Sequence, residues 1–170
     1  MQQSTRRVVR SLTVATIVWA FVAPSIGAQA PDAQLVAPIQ KFIDSFNKGD
    51  VAGAMAAHAA SADLTIIDEV PPFVWRGPKA FQAWSTALDS ISKQAGITDQ
   101  MVTISAPTRT ESSGDSAYVI VPAVYTYKEK GVAMRETAQM TVVLKKGASG
   151  WLIHGWTWTG PKPQRVAPAK

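Results

Sequence analysis

The sequence predicts an α+β fold: three N-terminal helices covering one face of a strongly bent antiparallel sheet, a cone with room for a cavity. Two observations predict it. Residues 116–159 read as three consecutive strands (117–127, 132–145 and 151–159), rich in Val, Ile, Tyr, Trp and Thr. They are separated by the turns Lys128-Glu129-Lys130-Gly131 and Lys146-Gly147-Ala148-Ser149-Gly150. Upstream, apolar residues recur at helical spacing, so that helices come first and strands follow.

Composition bounds the rest. At 170 residues the chain holds one domain, placed at 31–160, with a leader at 1–30 and a polar, Pro-rich, loose tail at 161–170. With 46% hydrophobic and 17% charged residues it can pack a core, which excludes wholesale disorder. The net charge of +5 does not point to nucleic acid. Six of the 17 basic residues (Arg6, Arg7, Arg10, Lys162, Arg165, Lys170) lie in leader and tail, and between them 11 basic residues face 11 acidic ones. No basic stripe with interleaved aromatics is left to track phosphates. The absence of cysteine excludes disulfides, thiolate chemistry and Cys-based zinc sites.

The leader has the layout of an export signal. Arg6, Arg7 and Arg10 precede the apolar run 12–22, and small residues follow in Ile26-Gly27-Ala28 and Ala28-Gln29-Ala30. Cleavage after Ala30 fits A-x-A but sets Pro31 at the scissile bond, so Ala28 competes. A periplasmic or secreted mature protein is expected. The run is short for a membrane span and breaks at Pro24; a signal anchor is the competing reading. Thr5-Arg6-Arg7-Val8-Val9 partly resembles a twin-arginine signal.

Leu35, Val36, Ile39, Phe42, Ile43 and Phe46 make 34–47 an amphipathic helix, stopped by Gly49. Asp50 then N-caps a second helix running to about Ala60, rich in small residues and carrying His58. Residues 64–68 form a short strand that Pro71-Pro72 cannot continue, and 73–76 form an edge strand or a loop. Gly77-Pro78 opens a third helix, with Pro78 at its first position, Phe81, Trp84, Leu88 and Ile91 as its stripe and Gly96 as its end. Residues 101–110 are one further strand before the turn Ser112-Ser113-Gly114-Asp115.

Candidate site residues follow from these placements. Asp68, beside Glu69 and ahead of the rigid prolines, is the leading candidate for a general base; the competing reading is a solvated turn. Glu136 shares a strand face with Val132, Met134, Ala138, Met140, Val142 and Leu144, so alternation turns it toward the core, as a cavity group or at a splayed edge. His58 is either a third acid/base group or a core histidine holding one hydrogen bond. Phe42, Trp75, Tyr125, Tyr127 and Met140 are candidate ligand contacts. Two histidines and no HExxH spacing exclude a His-rich metal site. No Walker loop, dinucleotide fingerprint or G-x-S-x-G occurs, and no cofactor is expected.

The order of elements, together with Phe46-Asn47-Lys48-Gly49-Asp50, Trp75-Arg76-Gly77-Pro78-Lys79-Ala80-Phe81 and Gly150-Trp151-Leu152-Ile153-His154, resembles the nuclear transport factor 2-like superfamily, in its SnoaL-like and ketosteroid-isomerase-like branch. The resemblance covers about 35–160. It implies a cystatin-like roll and places Asp68 where ketosteroid isomerases carry their base. It also puts Phe42 and Met140 where those enzymes carry a tyrosine and a protonated acid, so both oxyanion donors are missing and steroid-type isomerisation is disfavoured. Met140 and Gly155 become concave and Trp156 and Trp158 convex, a stripe suited to a sheet-to-sheet homodimer. The competing placement makes those tryptophans cavity walls. Two functions stay open. One is a cavity for a small apolar molecule, with isomerase, cyclase or dehydratase chemistry through Asp68. The other is a non-catalytic homodimerising binding module. The superfamily hosts both.

Overall fold

The computed structural model describes residues 33–167. The elements are α1 (Ala33–Asn47), α2 (Val51–Met55), β1 (Thr65–Ile67), β2 (Val74–Arg76), α3 (Ala80–Ala95), β3 (Ile97–Ile104), β4 (Arg109–Ser113), β5 (Ser116–Glu129), β6 (Val132–Gly147), β7 (Gly150–Thr159) and β8 (Gln164–Arg165). They form one curved sheet in the order β2-β1-β7-β6-β5-β3, with β4 alongside β5 and β8 alongside β6. Every pairing is antiparallel except β1 with β7. The leader lies outside the described residues. Among the described residues no helix is long and apolar enough to cross a membrane.

The α+β class holds, and the three long strands lie where their composition placed them. The first hairpin is tighter than expected. Glu129 pairs with Val132, leaving only Lys130 and Gly131 in the turn, both at positive φ (50° and 84°). Two residues of that geometry match the twist of the flanking strands. On β6, alternation works as read: Glu136, Ala138, Met140, Val142 and Leu144 are buried while Arg135, Thr137, Gln139 and Val143 are exposed.

The strand expected over 101–110 is two strands. β3 pairs with the far half of β5 and β4 with its near half. Between them lies Pro122 of β5, whose carbonyl accepts from Ser105 N on that edge. A proline has no N–H to offer a neighbour there, so the gap between two partner strands suits it. β3 is also bulged between Thr98 and Met101, with Asp99 at φ 53°. A bulge adds one residue and sharpens the local bend.

The second helix is corrected most. Asp50 caps it as expected, its Oδ1 accepting from Gly53 N at 2.9 Å, but it ends at Met55 rather than near Ala60. The next residues become an edge to β7: Ala59 N donates to the Ile153 carbonyl and Ile153 N to the Ala57 carbonyl. Ala57 N and His58 N still close turns onto the Ala54 and Met55 carbonyls, and the strand-type bonds to β7 take over from Ala59. α3 starts at Ala80, two residues past Pro78, and ends on left-handed Gly96. The tail is not wholly loose, since β8 pairs with Met134 and Arg135.

The helices cover the concave face. Leu35, Ile39, Phe42 and Ile43 of α1 and Phe81 and Trp84 of α3 are buried against Val119, Val121, Met140, Val142, Leu144 and Ile153. Each such side chain contributes about 1.5–3 kcal/mol of burial.

Candidate active site

The sheet and helices leave an aromatic chamber of about 70 Å³ in the cone. Phe42, Ile43 and Phe46 of α1 form its roof, and Trp84 and Leu88 of α3 one wall. Val102, Tyr125, Met140, Trp156 and Trp158 form the sheet side. The only carboxylate among the lining residues is Asp68, at the end of β1. A second cavity of about 210 Å³, the vestibule, adjoins the chamber and shares Leu88, Tyr125 and Trp158 with it. Glu69, Tyr127, Glu136, Ser92 and Pro163 line it.

Asp68 is held on both oxygens. Trp84 Nε1 donates to Oδ2 at 2.6 Å and Glu69 N to Oδ1 at 2.8 Å. Burial pushes its carboxyl above the ordinary carboxylate range, and the two hydrogen bonds to the ionised form offset part of that rise. An ionised carboxylate has about four lone-pair sites, so each oxygen can still accept a proton from a ligand.

Glu136 is 3% exposed. Its Oε1 accepts from Trp158 Nε1 at 2.8 Å. It stands opposite Tyr125 in the β5–β6 register. Its carboxyl is pushed up to about 8, first by burial and then by the Glu69 side chain. Both favour the protonated form of Glu136 near pH 7. Gly160 lies over it: a Cβ there would collide with Glu136 Oε1 and come within 2.9 Å of the Ala138 methyl.

The remaining candidates divide. Phe42, Met140 and Tyr125 line the chamber and Tyr127 the vestibule. Tyr125 Oη donates to Gln100 Oε1 at 2.5 Å. Trp75 packs in the core and lines neither cavity. His58 is a core histidine. Trp156 Nε1 donates to its Nε2 at 3.0 Å, so Nδ1 carries the proton and donates to the Ala54 carbonyl at 2.9 Å. Burial lowers its pKa to about 4 and keeps it neutral. With both ring nitrogens committed behind Trp156, His58 has no free nitrogen for acid/base work.

Trp156 and Trp158 are concave, which corrects their placement on an outer dimer stripe. The reason is a bulge between Val143 and Leu144 against β7: Leu144 pairs with Ile153 but Val143 pairs with Gly155. Residue 154 is thus unpaired and the alternation resets. Ile153 turns inward before the bulge, and Trp156 and Trp158 turn inward after it. Gly155, expected on the concave side, instead lies where a Cβ would come within 3.0 Å of the Thr65 carbonyl.

Sequence reasoning missed two roles. Trp84, read as plain core, holds Asp68 from 16 residues away, and no local pattern announces that pairing. Ser92 reaches the vestibule one residue beyond the α3 stripe; helical spacing from Leu88 was the available signal. Among the described residues no group of acids and histidines is arranged to hold a metal ion.

A family model described as the SnoaL-like domain matches residues 36–156. Among solved structures, the chain is similar to a ketosteroid isomerase-like protein from Erwinia carotovora atroseptica SCRI1043, at TM-score 0.59 and 20% identity over 77% of this chain and 96% of that one. It is similar to a nuclear transport factor 2-like superfamily protein from Salmonella enterica serovar Typhimurium LT2, at 0.62 and 17% over 81% and 95%. It is also similar to a type 2 hexachlorocyclohexane dehydrochlorinase, at 0.62 and 12% over 78% and 89%. At these identities the likeness is one of fold. No curated protein matches by sequence.

Proposed function

The chain belongs to the SnoaL-like domain family, and on that footing we propose that its chamber takes a small, mostly apolar organic molecule from which Asp68 removes a proton. One observation carries the reading: a single desolvated carboxylate, gripped by an indole N–H, at the end of an otherwise apolar aromatic chamber. Burial makes Asp68 a stronger base than an exposed carboxylate. The bond to Trp84 fixes its orientation, which an effective base requires.

Charge developing on the ligand meets few donors. Phe42 and Met140 line the chamber and donate nothing. Tyr125 Oη is engaged with Gln100, and Glu136, kept protonated, borders the vestibule. This favours isomerase- or lyase-type chemistry on a C–H bond that is already acidic. The dehydrochlorinase among the structural neighbours acts, by its name, on an apolar ring, which is in keeping with such a ligand. The leader pattern supports an exported protein.

The test is deuterium exchange. Small cyclic ketones and enones, cyclopentanone and 2-cyclohexenone first, are incubated with the protein in D2O and exchange next to the carbonyl is followed by NMR. Wild type is expected to exceed Asp68→Asn by at least about 100-fold, at unchanged thermal stability. Equal rates in both proteins, or no exchange above buffer with any of the compounds, would sink the proposal.

A further inference from the structure

We infer that the ligand is a small amine, bound as its ammonium, with its apolar body in the aromatic chamber and its charged head in the vestibule. The inference rests on the cavity reading above and names its ligand class. Three aromatic side chains, Tyr125, Tyr127 and Trp158, line the vestibule where the head would sit. Ring faces carry negative electrostatic potential and attract a cation that has lost its water. The carboxylates along the path are Asp68 in the chamber and Glu69 and Glu136 in the vestibule, and no Lys, Arg or His lines either cavity. Arg135, Lys162 and Arg165 border another cleft, which Glu136 also lines. An anion would thus enter against three carboxyl groups with nothing to pair it.

Ser92 independently marks the vestibule as a place for a polar ligand group. It is 4% exposed and lines the vestibule, and its Oγ has no hydrogen-bond partner among the described residues. A buried hydroxyl without a partner costs free energy that a ligand group can recover. An ammonium offers three donors, and the vestibule holds acceptors for them in Ser92, Glu69 and Glu136. Burial and the Glu69 side chain raise the Glu136 carboxyl and favour its protonated form. An ammonium beside it favours the ionised form, so binding is expected to release a proton there, while Asp68 in the chamber faces the apolar body. The other titratable groups facing this mouth are Tyr125 and Tyr127, both held neutral by burial.

The experiment is calorimetric titration of the protein at pH 7 with 2-phenylethylammonium, its uncharged isostere 2-phenylethanol, and phenylacetate. The ammonium is expected to bind at least tenfold tighter than the alcohol, with phenylacetate weakest. Its heat should depend on the buffer's ionisation enthalpy in the sense of proton release. Glu136→Gln and Glu69→Gln should each bring the ammonium within about threefold of the alcohol measured on the same variant. Thermal melting checks that each variant is folded. If the alcohol binds as tightly as the ammonium, or if both variants keep the preference, the amine assignment falls and the apolar cavity stands. If none of the three binds, the cavity reading falls with it.

Discussion

At the scale of single residues, two buried titratable groups pull stability in opposite directions with pH. Glu136 has a folded pKa of about 8, above its unfolded value near 4.5. The folded state therefore binds more protons in that window, and stability falls as pH rises from about 4.5 to 8. His58 is the reverse case, lowered from 6.5 to about 4. The unfolded chain takes up the proton first, so stability is lost as pH falls from 6.5 to 4. Maximal stability is expected near the middle of this range. Glu136→Gln keeps an acceptor for Trp158 and cannot ionise. Its melting temperature should hold level between pH 6.5 and 8 while that of wild type drops by several degrees. Parallel curves for the two proteins would mean that Glu136 is not the titrating group.

At the scale of elements, the chamber depends on how α1 is tied to β3. The Asn47 side chain bonds both ways to the backbone of Val102: Nδ2 donates to its carbonyl and its N donates to Oδ1, each at 2.8 Å. This closes the end of α1 onto the strand just beyond the Asp99 bulge, and Val102 is itself a chamber wall. Asn47→Ala leaves two part-buried backbone groups unpaired and should cost roughly 1–3 kcal/mol. Denaturant unfolding measures that loss; a change within about 0.5 kcal/mol would show that water replaces the amide at no cost. The Asp68 bond to Trp84 works on the same scale, since it joins the end of β1 to the first half of α3 and so sets where the base sits.

At the scale of the whole molecule, the segment after β7 finishes the site. Gly160 covers Glu136, Pro163 lines the vestibule, and β8 holds the segment down through pairing at only two positions of β6. A chain ending at Thr159 should stay folded, because little of the core lies beyond it. Its Glu136 should titrate close to an ordinary glutamate by carbon-13 NMR. A value still near 8 in the truncated protein would assign the shift to the strands alone. Much of this was legible in the sequence. Period-two alternation turns Glu136 inward, helical spacing gives α1 and α3 their buried stripes, and Asp68 ends a strand before two prolines. These are properties of one segment and its own repeat. What only the tertiary structure decided are pairings between segments: Trp84 on Asp68, Trp158 on Glu136, Trp156 on His58. The bulge between β6 and β7, which resets the alternation and swings two tryptophans from the expected outer face into the cavity, belongs with them. A bulge is a mismatch between two strands, and a buried hydrogen bond needs a partner brought from far along the chain, so neither exists until the chain has packed.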